Sequence, residues 1–312
     1  MKAALLSLLL LSCSLAAAEI VVREQVLMGT FATIKTQTSN SSCIQKAFER
    51  IREVEASLSS YKIGSDIYNL NLYGKASISQ DTYEALTEAL HYFKQSGGYF
   101  DISIGSITRQ VLDFNNPSSS VDRVKMQNAK LLLDSLELNQ TVASIDLNAT
   151  LDLGGFGKGF GVDKAIKTLK ECGADSAVVA LSGDIRCLKK CTVSIQNPFG
   201  TKSIMRFQTI KDNLAISTSG DYNRFIKTRA QNHLINPKTK TFSTKLASAT
   251  LISKIKNSTL DAYATAISVM PHAQAIELLE SNNIAYILIY SDHKVIKSSN
   301  LLEHIKIVDD WL

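Results

Sequence analysis

The 312-residue chain carries 34 basic and 29 acidic side chains, a formal net charge of +5, with 45% hydrophobic and 20% charged residues. That length and apolar content suffice for a substantial core, in one large domain or two closely packed halves. No long basic run lies beside aromatics, so nothing points to nucleic-acid binding, while the mild positive balance suits an anionic small substrate.

Met1-Lys2 leads into an apolar run from Ala3 to Leu11 and then into small residues, the layout of a signal peptide over residues 1–18. At about ten residues the run is too short to span a bilayer as a helix. Two processing routes compete: cleavage after Ala16-Ala17-Ala18, or a lipobox at Leu10-Leu11-Ser12-Cys13, in which a lipid on Cys13 would attach the chain to the inner membrane. Either route places the mature domain, residues 19–312, outside the cytoplasm, in a bacterial periplasm. In that oxidising setting Cys43, Cys172, Cys187 and Cys191 read as disulfides or buried thiols. Cys187 and Cys191 flank Leu188-Lys189-Lys190, a hairpin-like connection that a disulfide could bridge, and no nearby His or Cys completes a zinc set. Asn115 to Ser120 is a short surface loop.

Ile145, Leu147, Leu151 and Leu153 alternate with polar residues, the period of a half-buried strand. There follows Asp152-Leu-Gly-Gly-Phe-Gly-Lys-Gly-Phe-Gly-Val-Asp163, and then Val162, Ala165, Ile166 and Leu169 at helical spacing. A strand, a glycine-rich bend and a helix aim backbone N–H groups and the positive end of a helix dipole at an anion. The glycine offsets match neither the dinucleotide fingerprint nor the P-loop: Phe160 and Val162 stand where the former needs glycine, and Gly159 where the latter needs Ser or Thr. A tight turn whose glycines only allow close helix packing is the competing interpretation.

Ala177 to Leu181 predicts a short strand ending in Ser182-Gly183-Asp184, where Asp184 is expected to bond local backbone. Ala215 to Tyr222 repeats the format, with hydroxyls in a bend suited to phosphate oxygens. His233, in a predicted short strand running into Asn236-Pro237, is a candidate proton-transfer group, although a histidine without a sequence partner more often serves structure. No Gly-x-Ser-x-Gly elbow supports a serine triad. Thr259 to Met270 predicts a helix ending before Pro271. Asp261 and Thr265 share one of its faces, where a carboxylate, a hydroxyl and a loop carbonyl would suit Mg²⁺ or Ca²⁺; alternatively, Asp261 only favours the helix start and Thr265 bonds the preceding turn.

In order and spacing these phrases resemble the ApbE family of FAD:protein FMN transferases. The resemblance begins at Met28-Gly29-Thr30 and includes Ser59-Ser60-Tyr61, Ser65-Asp66-Ile67, Gly98-Tyr99-Phe100-Asp101, the Asp152–Asp163 phrase, Gly183-Asp184-Ile185-Arg186, Ser217 to Tyr222, His233 to Pro237 and Asp261 to Thr265. It implies an α+β fold of antiparallel sheets with packed helices, similar to a T-fold. It also implies an activity: FMN is moved from FAD to a threonine hydroxyl of a target flavoprotein subunit or domain, releasing AMP. Carried over, Asp261, Thr265 and the carbonyls of Gly155 and Ala264 hold Mg²⁺. Met28, Tyr61, Tyr99, Phe100, Asp101, Asp152, Lys158 and His233 contact FAD, and His233 and Asp261 are candidates for the catalytic base. Ser182, Gly157 and Asn236 depart from the family's usual glycine, alanine and aspartate. The same site with water as acceptor would be an FAD pyrophosphatase, and without chemistry a flavin-binding lipoprotein.

Overall fold

The structure, a computed structural model, describes residues 19–114, 116 and 119–311. The expected signal peptide and the Cys13 lipobox lie outside the described residues, as do positions 115, 117 and 118 of the predicted surface loop. Among the described residues no helix is long and apolar enough to cross a membrane.

The chain opens with a hairpin, β1 (Ile20–Leu27) and β2 (Thr30–Gln37). Three helices follow, α1 (Ser41–Leu58), α2 (Asp66–Tyr73) and, after strand β3 (Lys75–Ser77), α3 (Gln80–Gln95). Short elements α4 (Gly105–Thr108), α5 (Arg123–Asn128), β4 (Glu137–Leu138) and β5 (Val142–Ser144) lead to α6 (Gly157–Glu171). Then come β6 (Ala177–Leu181), β7 (Asp184–Cys187), β8 (Thr192–Gln196), β9 (Ser203–Thr209), β10 (Leu214–Gly220), β11 (Ile235–Asn236), β12 (Thr241–Phe242) and β13 (Leu246–Ser253). Helices α7 (Asn257–Ile267) and α8 (His272–Ser281) precede β14 (Ala285–Tyr290), β15 (Val295–Lys297) and β16 (Ile305–Asp310).

An eight-stranded sheet, ordered β1-β2-β6-β7-β10-β13-β14-β15, is antiparallel at every pairing. Along one of its faces Ala32, Ile34, Val179 and Leu181 pack against Ile44, Phe48 and Ile51 of α1 and Val162 and Ile166 of α6. Farther along that layer α7, through Leu260, Tyr263 and Ile267, joins Leu251 and Leu288. A three-stranded sheet, β16-β9-β8, contributes Val193, Ile195, Met205 and Phe207 to a second core with Ile216, Ile252 and Ile287. This is the expected α+β arrangement, and burial of both sheet faces leaves every residue of β13 buried, its small hydroxyl residues included, and makes β14 a nearly continuous apolar run.

Several expected elements differ. The alternation over 145–153 does not become a strand: β5 ends at Ser144, and Asp146 then turns the chain, accepting from Asn148 N at 2.8 Å. Leu151 is instead satisfied by an amide side chain, with Asn71 accepting from its N–H (2.7 Å) and donating to its carbonyl (2.9 Å). The segment 215–220 is the ladder strand β10 rather than a phosphate-holding bend, because its backbone pairs with β7 and β13.

Of the two alternatives open for Cys187 and Cys191, disulfide or buried thiols, the structure has the disulfide, but Leu188 to Lys190 is no hairpin: it carries the chain from the main sheet to the three-stranded one. A second disulfide, Cys43–Cys172, ties α1 to the C-terminal end of α6 across 129 residues of sequence. A loop of that length constrains the unfolded chain strongly, so Cys43→Ala/Cys172→Ala is expected to lose about 5 kcal/mol, against about 2 kcal/mol for the short Cys187–Cys191 loop. Denaturant midpoints of the two double variants check this ordering.

Candidate active site

The glycine phrase divides differently from its sequence pattern. Only Gly154 and Gly155 form the bend; Gly157, Gly159 and Gly161 lie within α6. A Cβ on Gly159 would fall on the Asn257 carbonyl oxygen and within 2.9 Å of Asp261 Cβ, so this glycine lets α6 and α7 touch backbone to backbone. At Gly161 a Cβ would sit 2.9 Å from Met28 Sδ, whereas at Gly157 the nearest atom, Met28 Cε, is 3.7 Å away and leaves room for a methyl. The helix-packing interpretation therefore accounts for two of the glycines. The contact is locked by Asp163, whose carboxylate accepts from the N–H groups of Asn257 and Ser258 at 2.9 Å each and so caps the N-terminus of α7.

This register sets the polar cluster. Gly159 N donates to Asp261 Oδ2 (3.1 Å), and Thr265 Oγ1, one turn farther along α7, donates to the Gly155 carbonyl (2.9 Å). Asp152 fixes the loop before α6, accepting from Gly154 N (3.0 Å) and Thr108 Oγ1 (2.7 Å). Lys158 projects between two carboxylates, its Nζ 3.1 Å from Asp184 Oδ2 and 3.2 Å from Asp261 Oδ2. Asp184 is thus not a local turn residue: it is buried and accepts from Ser217 Oγ at 2.5 Å. Nothing in the spacing of the sequence links Asp184 to Lys158; only the pairing of β6 with β7 and the packing of α6 do.

Burial disfavours charge on Lys158, but Asp184 and Asp261 outweigh it and raise its pKa, so the ammonium persists. Burial, with the charge of Asp184, pushes Asp261 up to about 7 despite Lys158 and the Gly159 N–H. Two carboxylates share one ammonium, and the cluster attracts a further positive charge.

His233 precedes β11 rather than lying in a strand; its N–H and Nδ1 both face the Arg224 carbonyl at 3.1 Å. Nδ1 therefore carries the proton, and Nε2 is left as an acceptor. Burial first, then the charges of Arg224 and Lys158, lower its pKa to about 4. Asn236 does not serve His233: its amide donates to the Val269 carbonyl (2.9 Å), a bond aspartate could not make.

Around this centre lie the remaining candidates. Met28, in the left-handed region at φ 52°, is held by its N–H to Glu55 Oε1 at 2.9 Å. Tyr61 is exposed, with the Arg109 guanidinium 3.4 Å above its ring and Arg224 Nη2 donating to its hydroxyl at 2.9 Å. Tyr99 lies under Lys238 Nζ at 4.1 Å. Asp101 accepts from Ser103 N (2.7 Å) and Oγ (2.6 Å), while burial raises its pKa. As a side chain Phe100 does not line the site: it is buried, edge-on to Phe156 and beneath Gly155, because the bend needs an apolar floor. Arg109 and Arg224 were not singled out from the sequence, where each is an isolated cation.

Among the described residues no group of His, Cys, Asp and Glu could by itself hold a metal ion. The Gly155 carbonyl, the Thr265 hydroxyl and the Asp261 carboxylate form an all-oxygen set of the kind Mg²⁺ takes when phosphates supply the remaining ligands, and they fit a hard cation. The Ala264 carbonyl fits less well, since Ser268 Oγ (2.7 Å) and N (3.3 Å) already donate to it.

The sequence profile of the ApbE family matches residues 28–288. The chain is 26% identical over 303 residues to the FAD:protein FMN transferase of Haemophilus influenzae, spanning 88% of this chain and 87% of that one. It is 23% identical over 322 residues to the protein of the same name from Treponema pallidum, spanning 92% and 89%. The flavin transferase ApbE from Vibrio cholerae has the same fold, with a TM-score of 0.79 at 21% identity over 92% of this chain and 100% of that one. So does the ApbE protein of Thermotoga maritima, with a TM-score of 0.81 at 17% identity over 91% and 99%. With its profile match running through both the glycine phrase and the Asp261 helix, the chain belongs to the ApbE family.

Proposed function

We propose that the protein is a Mg²⁺-dependent FAD:protein FMN transferase, moving FMN from FAD to a threonine hydroxyl of a target flavoprotein and releasing AMP. The observation that carries this reading is the Lys158 ammonium held between Asp184 and Asp261 beside the Gly155–Thr265 oxygens: a fixed cation next to a hard-cation donor set suits a diphosphate. In the transfer, the threonine oxygen forms a bond to the flavin-side phosphorus as the phosphoanhydride bond to AMP breaks. Bound Mg²⁺, on Asp261, Thr265 and Gly155, would offset charge on the phosphate oxygens. Lys158 would do the same as a point charge. Met28, Tyr61, Tyr99, Asp101 and Asp152 surround the flavin and its diphosphate in this reading, with Phe100 as support. Two disulfides and the N-terminal sequence support an extracytoplasmic location, periplasmic and lipid-anchored through Cys13 to the inner membrane.

His233 is the better candidate for the base, because Nε2 is an unprotonated acceptor while the Asp261 carboxylate is occupied by Lys158 and Gly159 and, in this reading, by the cation. At saturating Mg²⁺, which would hold the Asp261 carboxylate ionised, the pKa of about 4 at His233 places the acidic limb of kcat/KM near pH 4 rather than at the ordinary 6.5. The same shift bears on stability: the unfolded chain takes up the proton first as pH falls, so the His233 contribution is present above 6.5 and is lost towards 4. Rate and unfolding profiles of the wild type and His233→Asn check both; an acidic limb at 6.5 would remove His233 from the role.

The functional test is to incubate the mature protein with FAD, Mg²⁺ and a candidate acceptor domain, following AMP and acceptor mass. Covalent FMN on the acceptor supports transfer. AMP without addition indicates a pyrophosphatase, and bound but intact FAD a flavin carrier.

A further inference from the structure

Asp184 is an expensive residue to keep. Its carboxylate is buried, and desolvating such a group costs several kcal/mol unless partners compensate. Its partners are the Ser217 hydroxyl at 2.5 Å, from the neighbouring strand β10, and the Lys158 ammonium at 3.1 Å, from α6. Gly161, three residues on along α6, offers Lys158 no side chain, and its ammonium meets the two carboxylates. Of these, Asp261 has competing duties, accepting from Gly159 N and belonging to the oxygen set suited to a cation.

We propose that Asp184, braced by Ser217, is the positioning residue that keeps Lys158 aimed at the diphosphate when Asp261 turns to the cation. The proposal rests on the functional reading above. Asp184 acts through Lys158 and does not touch the substrate. The carboxylate on β7 is fixed by sheet pairing and the ammonium swings on a flexible stem, so the rigid partner orients the mobile one.

The sign of the effect separates positioning from simple charge. Removing a negative group beside an anion site should tighten anion binding if only the net field matters. Positioning predicts the reverse. The test uses ADP, which carries the diphosphate and no flavin to transfer, with Mg²⁺ present and dissociation constants measured by calorimetry. Asp184→Asn is expected to raise the ADP Kd about tenfold, the scale of a lost hydrogen bond between charged groups. Ser217→Ala is expected to move it the same way by less. On a Lys158→Ala background Asp184→Asn is expected to add nothing further, since residues acting as one unit are not additive. An unchanged or lowered Kd, or full additivity with Lys158→Ala, would overturn the proposal, as would a lowered melting temperature with unaltered affinity. If Asp184→Asn does not fold, Ser217→Ala carries the same comparison, and an unaltered Kd in that variant overturns it. Failure of the wild type to modify any acceptor would count against the functional reading alone, because the ADP ratios are read without transfer.

Discussion

Replacing Asp261 with alanine is expected to slow FMN transfer by roughly 10²–10³-fold at saturating Mg²⁺. The residue serves twice. Its carboxylate is the charged member of the oxygen set with Thr265 and Gly155, and it is also one of the two anchors of Lys158. The change should therefore lower both Mg²⁺ affinity and turnover while leaving a folded protein, since the α6–α7 contact is built from Gly159, Asn257 and Asp163, which remain. Removing a buried carboxylate of raised pKa also relieves a desolvation cost, so a loss of stability is not the expected cause. Mg²⁺ titrations of the rate of AMP release decide it; unchanged Mg²⁺-dependent turnover would remove Asp261 from the site.

Gly159→Ala should act by the opposite route, through packing. The added methyl would meet the Asn257 carbonyl oxygen, a backbone atom that cannot swing aside, and come within 2.9 Å of Asp261 Cβ. Helices α6 and α7 must then separate, at an expected cost of about 3 kcal/mol, the upper part of the range for overpacking. The bonds from Gly159 N to Asp261 and from Asp163 to the start of α7 would stretch with it, so activity should fall alongside stability. Gly157→Ala is the control: with 3.7 Å to Met28 Cε it is expected to change stability little. Thermal unfolding of the pair measures the difference, and equal melting temperatures would contradict the close backbone contact.

The contrast between these glycines shows what the sequence could and could not convey. Their alternation marked a special segment, but the pattern is the same whether a glycine serves a bend, a helix contact or a methyl-sized gap. Local periodicity did reveal β6, α7 and the shared face of Asp261 and Thr265, because these depend on neighbours a few residues away. It misread 145–153, where an Asx turn and the Asn71 amide replaced a ladder, since a side chain some eighty residues distant leaves no trace in the alternation. Asp184 was missed for a related reason: its partners Ser217 and Lys158 come from β10 and α6, and only sheet pairing brings them together. Arg109 and Arg224 likewise acquire meaning only when Tyr61 lies between them. The Cys43–Cys172 bridge connects helix ends that sequence leaves 129 residues apart.

The claim that this cluster delivers FMN to a threonine is tested most directly by the stoichiometry of one reaction. The mature protein, FAD and Mg²⁺ are mixed with an acceptor domain or with the same domain bearing valine at the acceptor threonine, and AMP and acceptor-bound FMN are quantified together. The predicted result is one AMP for each FMN bound to the threonine domain, with neither product formed when valine replaces it. AMP released equally with both domains, leaving the acceptor unmodified, would contradict the account.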